Sequence, residues 1–388
     1  MLHLLIHIIV TVALIGTVSG IAYYLLCVWS ASRFLQRSSP AHLPEGDLPP
    51  VSILKPLKGT DREMYTTLRT HCLQEYPKYE IIFGVSEPDD PAIQVVQQLK
   101  SEFPARDISL LVCSRTLGSN IKVSNLAQMA RTAKYDVLLV NDSDIRVPTD
   151  YLRRVIEPLH RPEVGLVTCL YRGIASGTMG SQLEALGIST DFAGGVLAAQ
   201  FLEGGVKFGL GSTLALRRKE LEAIGGFESL VDHLADDYEL GARIAAHGKK
   251  VQLADVVVET LLPCYSWRAF VDHQLRWARS VRDSRRWGYA GLGFTFGVPW
   301  AVLALLLSGG RAWAWEALAA TLIARYALAL VVGWKALRDP QVFRGLWLIP
   351  LRDGVALLLW IASFAGHTVH WRGGSYLLKN GKLVKIGS

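Results

Sequence analysis

The sequence predicts an α/β fold, a mostly parallel sheet covered by helices, carried between membrane-spanning segments. Three observations lead there. From Val51 onward, short apolar runs alternate with helical patterns, as parallel sheets with crossover helices require. Residues 2–29 contain only His3, His7, Thr11, Thr17, Ser19 and two Tyr as polar or ionisable side chains, a run able to span a bilayer core of about 30 Å. Residues 136–146 read Asp-Val-Leu-Leu-Val-Asn-Asp-Ser-Asp-Ile-Arg, an apolar strand ending in Asp142 and Asp144. Open α/β sheets bind ligands at the carboxyl ends of their strands.

Residues 1–30 read as an uncleaved anchor. A signal peptide is the rival, but no basic segment precedes the run, and Arg33 and Arg37 follow it. Residues 38–50, rich in Pro and Ser, read as a linker. Then come a strand over 51–54, a helix over 63–74, a strand over 80–85, a helix over 91–102, a strand over 108–112, a helix over 122–132 and a strand over 136–140. This alternation implies a Rossmann-like nucleotide-binding half. Strands over 164–171, 212–217 and 251–258 and a helix over 234–247, closed by Gly248, complete one domain over 51–286.

Residues 287–370 hold three apolar stretches, 288–310, 312–334 and 346–367, read as transmembrane or interfacial. Glu316, Arg325, Arg352 and Asp353 make two of them imperfect, and ionisable groups at membrane depth pair or line cavities. Arg33, Arg37 and the run Arg276, Arg279, Arg282, Arg285, Arg286 flank the middle domain, which the positive-inside rule makes cytoplasmic. Three full C-terminal spans would put the basic tail over 371–388 outside, so one segment is expected to be re-entrant or interfacial.

Lys+Arg number 41 against 34 Asp+Glu, a formal charge of +7, and half of the residues are hydrophobic. That excludes a disordered chain and a bundle lying wholly in lipid. The positive charge clusters beside the apolar segments and fits an anionic membrane surface; no aromatic-basic platform for nucleic acid is visible. The five scattered Cys contain no C-x-x-C and read as buried hydrophobes in a reducing compartment. Nothing in the pattern sets an oligomeric state.

Asp142 and Asp144 present hard oxygen ligands suited to Mg2+ or Mn2+ held against a diphosphate; an Asx-turn after a strand is the bland alternative. Asp90 suits a nucleotide contact; the alternative, which can hold alongside it, is that Asp89 and Asp90 cap the helix beginning at Pro91. Asp236 and Asp237 open a helix with Leu234, Tyr238, Ala242 and Ala245 on one face, where carboxylates also complement the helix dipole. Arg276 suits bidentate diphosphate binding and Trp277 an interfacial or stacking platform. The alternative there is a basic amphipathic helix lying on the bilayer with Phe270, Trp277 and Val281 inward. Lys55, Lys122 and Asn125 are lesser candidates, and Gly209-Leu-Gly-Ser-Thr213 reads as a close-approach loop.

Five segments in order resemble the ceramide glucosyltransferase family of membrane-bound, GT-A-fold glycosyltransferases. They are Val51-Ser-Ile-Leu-Lys-Pro-Leu-Lys-Gly59, Ser86-Glu-Pro-Asp-Asp-Pro-Ala92, Asn141-Asp-Ser-Asp144, Ala235-Asp-Asp-Tyr-Glu-Leu240 and His273-Gln-Leu-Arg-Trp277. The likeness runs from about residue 51 to the tail, where Trp371-Arg-Gly-Gly-Ser-Tyr376 is also family-like. Among members, bacterial hopanoid-biosynthesis-associated glycosyltransferases look nearest.

The resemblance implies a UDP-sugar donor bound through Asp90, Lys55, Asp142 and Lys122, with Mg2+ or Mn2+ on Asp142 and Asp144. It makes Asp237 the base that deprotonates an acceptor hydroxyl, with Arg276, Trp277 and His273 in the catalytic element. Glucose or N-acetylglucosamine would pass with inversion to a membrane lipid, a hopanoid polyol or ceramide, in a bacterial inner membrane. His273 departs from the Gln or Arg of the family pattern. The rivals are a processive polysaccharide synthase, which shares these motifs, and a lipid-binding pseudoenzyme scaffold.

Overall fold

The structure, a computed structural model, describes residues 2–36, 48–371 and 374–386. Arg37, positions 38–47 of the expected linker, and Arg372 and Gly373 of the tail motif lie outside the described residues. Chain contacts divide the rest into a sheet unit (48–176, 202–263 and 381–386) and a helix unit (2–36, 177–201, 264–371 and 374–380).

The sheet unit is built on eight strands. They are β1 (Val51–Pro56), β2 (Tyr79–Val85), β3 (Asp107–Val112), β4 (Val137–Val140), β5 (Ile145–Arg146), β6 (Val164–Ile174), β7 (Leu214–Arg217) and β8 (Lys250–Leu261), in the order β3-β2-β1-β4-β7-β6-β8-β5. β1 pairs in parallel with β2 and β4, β2 with β3, and β6 with β8. β7 runs antiparallel to β4 and β6, and β5 to β8. This is the expected α/β, GT-A-like sheet. Every residue of β1 and β2 is buried, as in parallel strands covered on both faces, including the polar Ser52, Lys55 and Glu80. Because β1, β2 and β4 are parallel, Lys55, Asp90 and Asp142 arise at the same edge of the sheet.

The helix expected over 234–247 forms as Asp236–Ala246, but its buried face is Asp236, Leu240, Gly241 and Ile244. Tyr238, Ala242 and Ala245 are only partly covered. A spacing of four residues from Asp236 through Leu240 to Ile244 selects that stripe. Part of the region expected to be a tail is structured here too. The Leu383 N–H donates to the Asp232 carbonyl (2.8 Å) and the Leu234 N–H to the Gly381 carbonyl (3.0 Å). His233 bridges Lys382 antiparallel.

The helix unit differs from the expected organisation in three ways. Residues 177–201 and 264–286, assigned by sequence to one domain over 51–286, pack here instead. The physical reason is that Met179–Leu202 is itself a helix long and apolar enough to cross a membrane, as are Leu4–Leu35, Ala312–Ala336 and Leu346–Ser363. The stretch over 288–310 is two helices, Arg286–Thr295 and Gly297–Leu307, bent by 51°. Finally, Thr368–Trp371 and Gly374–Lys379 form an antiparallel pair, so the basic tail expected over 371–388 begins within a strand pair.

A Cβ on Gly20 would stand 2.3 Å from the Gly297 Cα. That close backbone approach is how small residues let apolar helices pack. Inside the unit, Arg325 is buried and ion-paired to Asp353 (2.8 Å) and Asp191 (2.6 Å), and Arg352 also meets Asp191 (3.3 Å). The imperfections in the apolar stretches are thus paired, while Glu316 is exposed.

The arginine collar is partly internal. Arg279 donates to the Thr368 carbonyl, and the buried Arg282 to the carbonyls of Ser363 and Gly366 and to His367 Nδ1. Both cap the chain leaving helix Ile349–Ser363. On helix Trp267–Ser284, Phe270 is buried against the unit and Val281 is 48% exposed.

Candidate active site

Three loops of the sheet unit converge on one glycine. After β4, Asn141 is fully buried and donates to the Tyr151 hydroxyl (2.8 Å) and the Ser212 carbonyl (2.6 Å). That anchor fixes the turn carrying Asp142 and Asp144. The loop before β7 supplies Gly211, whose N–H donates to Asp237 Oδ2 (2.7 Å) and whose carbonyl accepts from the Asp142 N–H (3.4 Å). A Cβ on Gly211 would lie 2.8 Å from Asp142 Oδ2 and 3.2 Å from Asp237 Oδ2. The two carboxylates therefore face the same Cα, and only glycine leaves room between them.

Lys122 joins the same group. It follows Asn120, which caps helix Ile121–Thr132 by accepting from the Val123 N–H (3.3 Å). The Lys122 ammonium lies 2.7 Å from Asp142 Oδ1 and 3.1 Å from Asp236 Oδ2. Burial alone would favour its neutral form, but Asp142, Asp236 and Asp237 outweigh it and raise its pKa. Asn120 also donates to the His233 carbonyl (2.8 Å). The helix bearing Lys122 is thereby tied to the loop leading into Asp236 and Asp237. Sequence places Lys122 only as a donor-site lysine; the structure makes it the counter-ion shared by the turn and the helix start.

Asp237 is pushed up to about 6, chiefly by burial and then by Asp236, against the opposing pull of Lys122. Burial, with Asp142 next to it, also raises Asp144 to about 6, although Thr260 Oγ1 donates to its Oδ2 (2.7 Å). Lys55 is fully buried and donates to the Asp142 carbonyl (2.7 Å). Burial lowers it to about 7, with Asp144 and Asp142 opposing. Lys55 thus supports the turn from beneath.

Asp90 accepts from the Gly59 N–H through both oxygens (3.0 and 3.1 Å) and from the Ala92 N–H (2.9 Å). The capping alternative raised for it holds, with the addition of a tie to the loop after β1. Asn125 exchanges hydrogen bonds with Ser86 (3.0 and 3.2 Å).

Among the described residues, no group of three or more His, Cys, Asp or Glu is arranged to hold an ion alone. The donor set of Asp142 and Asp144 nevertheless fits Mg2+ or Mn2+ arriving with a diphosphate. Such ions take one or two carboxylates and complete their shell with phosphate oxygens and water.

His273, Arg276 and Trp277 belong to the helix unit. His273 Nδ1 lies 3.1 Å from Glu184 Oε2, and its ring lies against Trp277 with centroids 5.1 Å apart. Sequence reasoning misses Glu184; it has Gly211 only as part of the close-approach loop over 209–213 and Asp236 only as the neighbour of Asp237. For Gly211 the G-x-G loop is the only local signal; Glu184 has none beyond being an acid in an apolar stretch.

A profile described as "Glycosyl transferase family 21" matches residues 12–384. Ceramide glucosyltransferase 3 of Caenorhabditis elegans is 26% identical over 269 residues, 69% of this chain and 58% of that protein. The ceramide glucosyltransferase of Komagataella phaffii is 37% identical over 115 residues, 29% of this chain and 23% of that protein. The chain spans 58% of the length of the first of these curated relatives and 23% of the second. In fold, it is similar to a mannosyltransferase, PcManGT from Pyrobaculum calidifontis, solved with GDP-Man and Mn2+. The TM-score is 0.56 at 21% identity, covering 92% of this chain and 98% of that one. The chain belongs to glycosyl transferase family 21.

Proposed function

We propose that this protein is a membrane-bound, inverting hexosyltransferase. It moves glucose or N-acetylglucosamine from a UDP-sugar to a hydroxyl of a membrane lipid, a hopanoid polyol or ceramide. The observation that carries the reading is the approach of Asp142 and Asp237 to the same face of Gly211, with Lys122 bridging Asp142 and Asp236. A diphosphate-handling carboxylate and a candidate base then share one small space.

Asp237, held by the Gly211 N–H, accepts the proton of the acceptor hydroxyl, whose oxygen attacks the anomeric carbon as the bond to UDP breaks. One displacement inverts an α-linked donor to a β-glycoside. Lys122 adds positive charge beside the leaving diphosphate. Mg2+ or Mn2+ on Asp142, with Asp144 in support, would neutralise further charge on that group. Asp90 holds the Gly59 loop and the start of helix Ala92–Glu102 at the nucleotide end. Arg276, Trp277 and His273 serve the same reaction by resemblance. The sheet unit would face the cytoplasm of a bacterial cell, its exposed basic side chains on the anionic inner-membrane surface.

The test is incubation of membranes containing the protein with labelled UDP-glucose and, separately, UDP-N-acetylglucosamine, followed by mass analysis of the lipids. A single hexose on a lipid hydroxyl supports the reading; a long saccharide chain instead supports a processive synthase. Asp237→Asn should abolish transfer while inserting normally. Wild-type transfer by that variant would refute the base assignment.

A further inference from the structure

Glu184 is the one carboxylate of helix Met179–Gly187, and it lies 2% exposed within the apolar span Met179–Leu202. Three donors from the segment over 265–274 meet it. His273 Nδ1 and Gln274 Nε2 approach Oε2 at 3.1 and 3.2 Å, and the Tyr265 hydroxyl approaches Oε1 at 3.5 Å. The Tyr265 ring stacks on His273, with centroids 5.5 Å apart and planes 26° apart. Trp277 then lies between His273 and Phe192, at centroid distances of 5.1 and 6.5 Å. The same helical stretch that carries Glu184 therefore holds the first two residues of His273-Gln-Leu-Arg-Trp277 by polar contacts and the last by an aromatic one.

A carboxylate withdrawn from water is costly unless donors replace its hydration. An apolar residue would fit this helix at lower free energy, so packing alone does not account for Glu184. A carboxylate against Nδ1 selects the tautomer with the proton on that nitrogen and fixes the ring plane. The other nitrogen, Nε2, is then the atom the ring has available for a further partner. Gln274, held on the same oxygen, stiffens the turn on which His273 stands.

We propose that Glu184 is a positioning residue for the glycosyl-transfer reaction, acting through His273 by fixing its tautomer and ring plane. The inference rests on the reading that the His273–Trp277 element serves sugar transfer to lipid, and it adds to that reading the residue that aligns the element. It also accounts for the departure at the first position. A Gln or Arg there has no tautomer to set, whereas a His does.

The test is a double-mutant cycle on the full-length protein in lipid nanodiscs, measuring kcat, donor KM and melting temperature. Glu184→Gln keeps size and shape but places an amide NH2 among donors. It should lower kcat about tenfold with donor KM changed less than about twofold. In a His273→Gln background, the same substitution should change kcat less than about twofold, because no imidazole remains to be aligned. If Glu184→Gln yields no folded protein, Tyr265→Phe provides a milder probe. It should cost about threefold in kcat in the wild type and nothing in His273→Gln. Effects that multiply in the double variant, or wild-type kcat in Glu184→Gln, would overturn the proposal with the parent reading intact. Absence of lipid glycosylation by the unaltered protein would overturn both.

Discussion

Substituting Asp237 by Asn probes the candidate base through stability, without relying on activity. In the folded protein the Asp237 carboxyl is pushed up to about 6 by burial first and Asp236 second, with Lys122 pulling the other way. An unfolded Asp titrates at about 3.9. The folded state thus holds the extra proton between about pH 4 and 6, and stability falls as pH rises through that window. Two units at about 1.4 kcal/mol each give a penalty of about 3 kcal/mol, fully present above about pH 6. Asn carries no such penalty and can still accept the Gly211 N–H.

The variant should therefore unfold at a higher temperature than the wild type at pH 8, by several degrees at about 2–4 °C per kcal/mol. The gap should close near pH 4. Thermal unfolding of the detergent-solubilised protein in EDTA, scanned at one rate across pH 4–8, measures this. A gap independent of pH, or a variant less stable than wild type at pH 8, would refute the claim that Asp237 is held in an unfavourable charged state.

Three further outcomes follow from the same geometry. Gly211→Ala should reduce transfer by about two orders of magnitude with little change in melting, since its Cβ would enter the space between Asp142 and Asp237; near-normal kcat would count against a shared site there. Lys122→Met should tighten Mn2+ binding about tenfold in the absence of donor, read by electron paramagnetic resonance, because its ammonium no longer competes for Asp142; unchanged affinity would argue that the ion does not use Asp142. Arg325→Met should lower the yield of folded, detergent-stable protein, because breaking a buried pair costs about 3–5 kcal/mol and both Asp353 and Asp191 lose their partner; wild-type yield and melting would show the pair to be dispensable.

Much of the sheet and the carboxylates of the site is legible in the sequence, because each is signalled locally. β4 is an apolar run with Asp142 and Asp144 immediately beyond it, and Asp236 and Asp237 open a helix whose extent, though not its buried face, the sequence shows. What joins them is not local. Gly211 stands among short loop residues, and Lys122 looks like any lysine near a helix start. Their importance arises from contacts 20 to 114 positions apart in the chain, for which no local pattern exists.

The span Met179–Leu202 escapes for a different reason. Glu184, Ser189, Thr190 and Asp191 interrupt its apolar character, and each is compensated by residues far along the chain. Glu184 meets His273, Ser189 meets Asp339 (2.7 Å) and Asp191 meets Arg325. Length and composition alone nevertheless qualify the stretch as a span, so the sequence carried the signal despite these interruptions.

The backbone ladder from Gly381 and Leu383 to Asp232 and Leu234 sets an order on biosynthesis. Residues 381–386 leave the ribosome after every apolar helix through Ser363, yet they brace the loop that delivers Asp236 and Asp237. Until that late segment emerges, the loop lacks one of its two edges, the other being Asn120 and its neighbours. Maturation of the sugar-transfer centre would then trail membrane integration, and a ribosome stalled before Gly381 would leave an inserted but uncompleted enzyme.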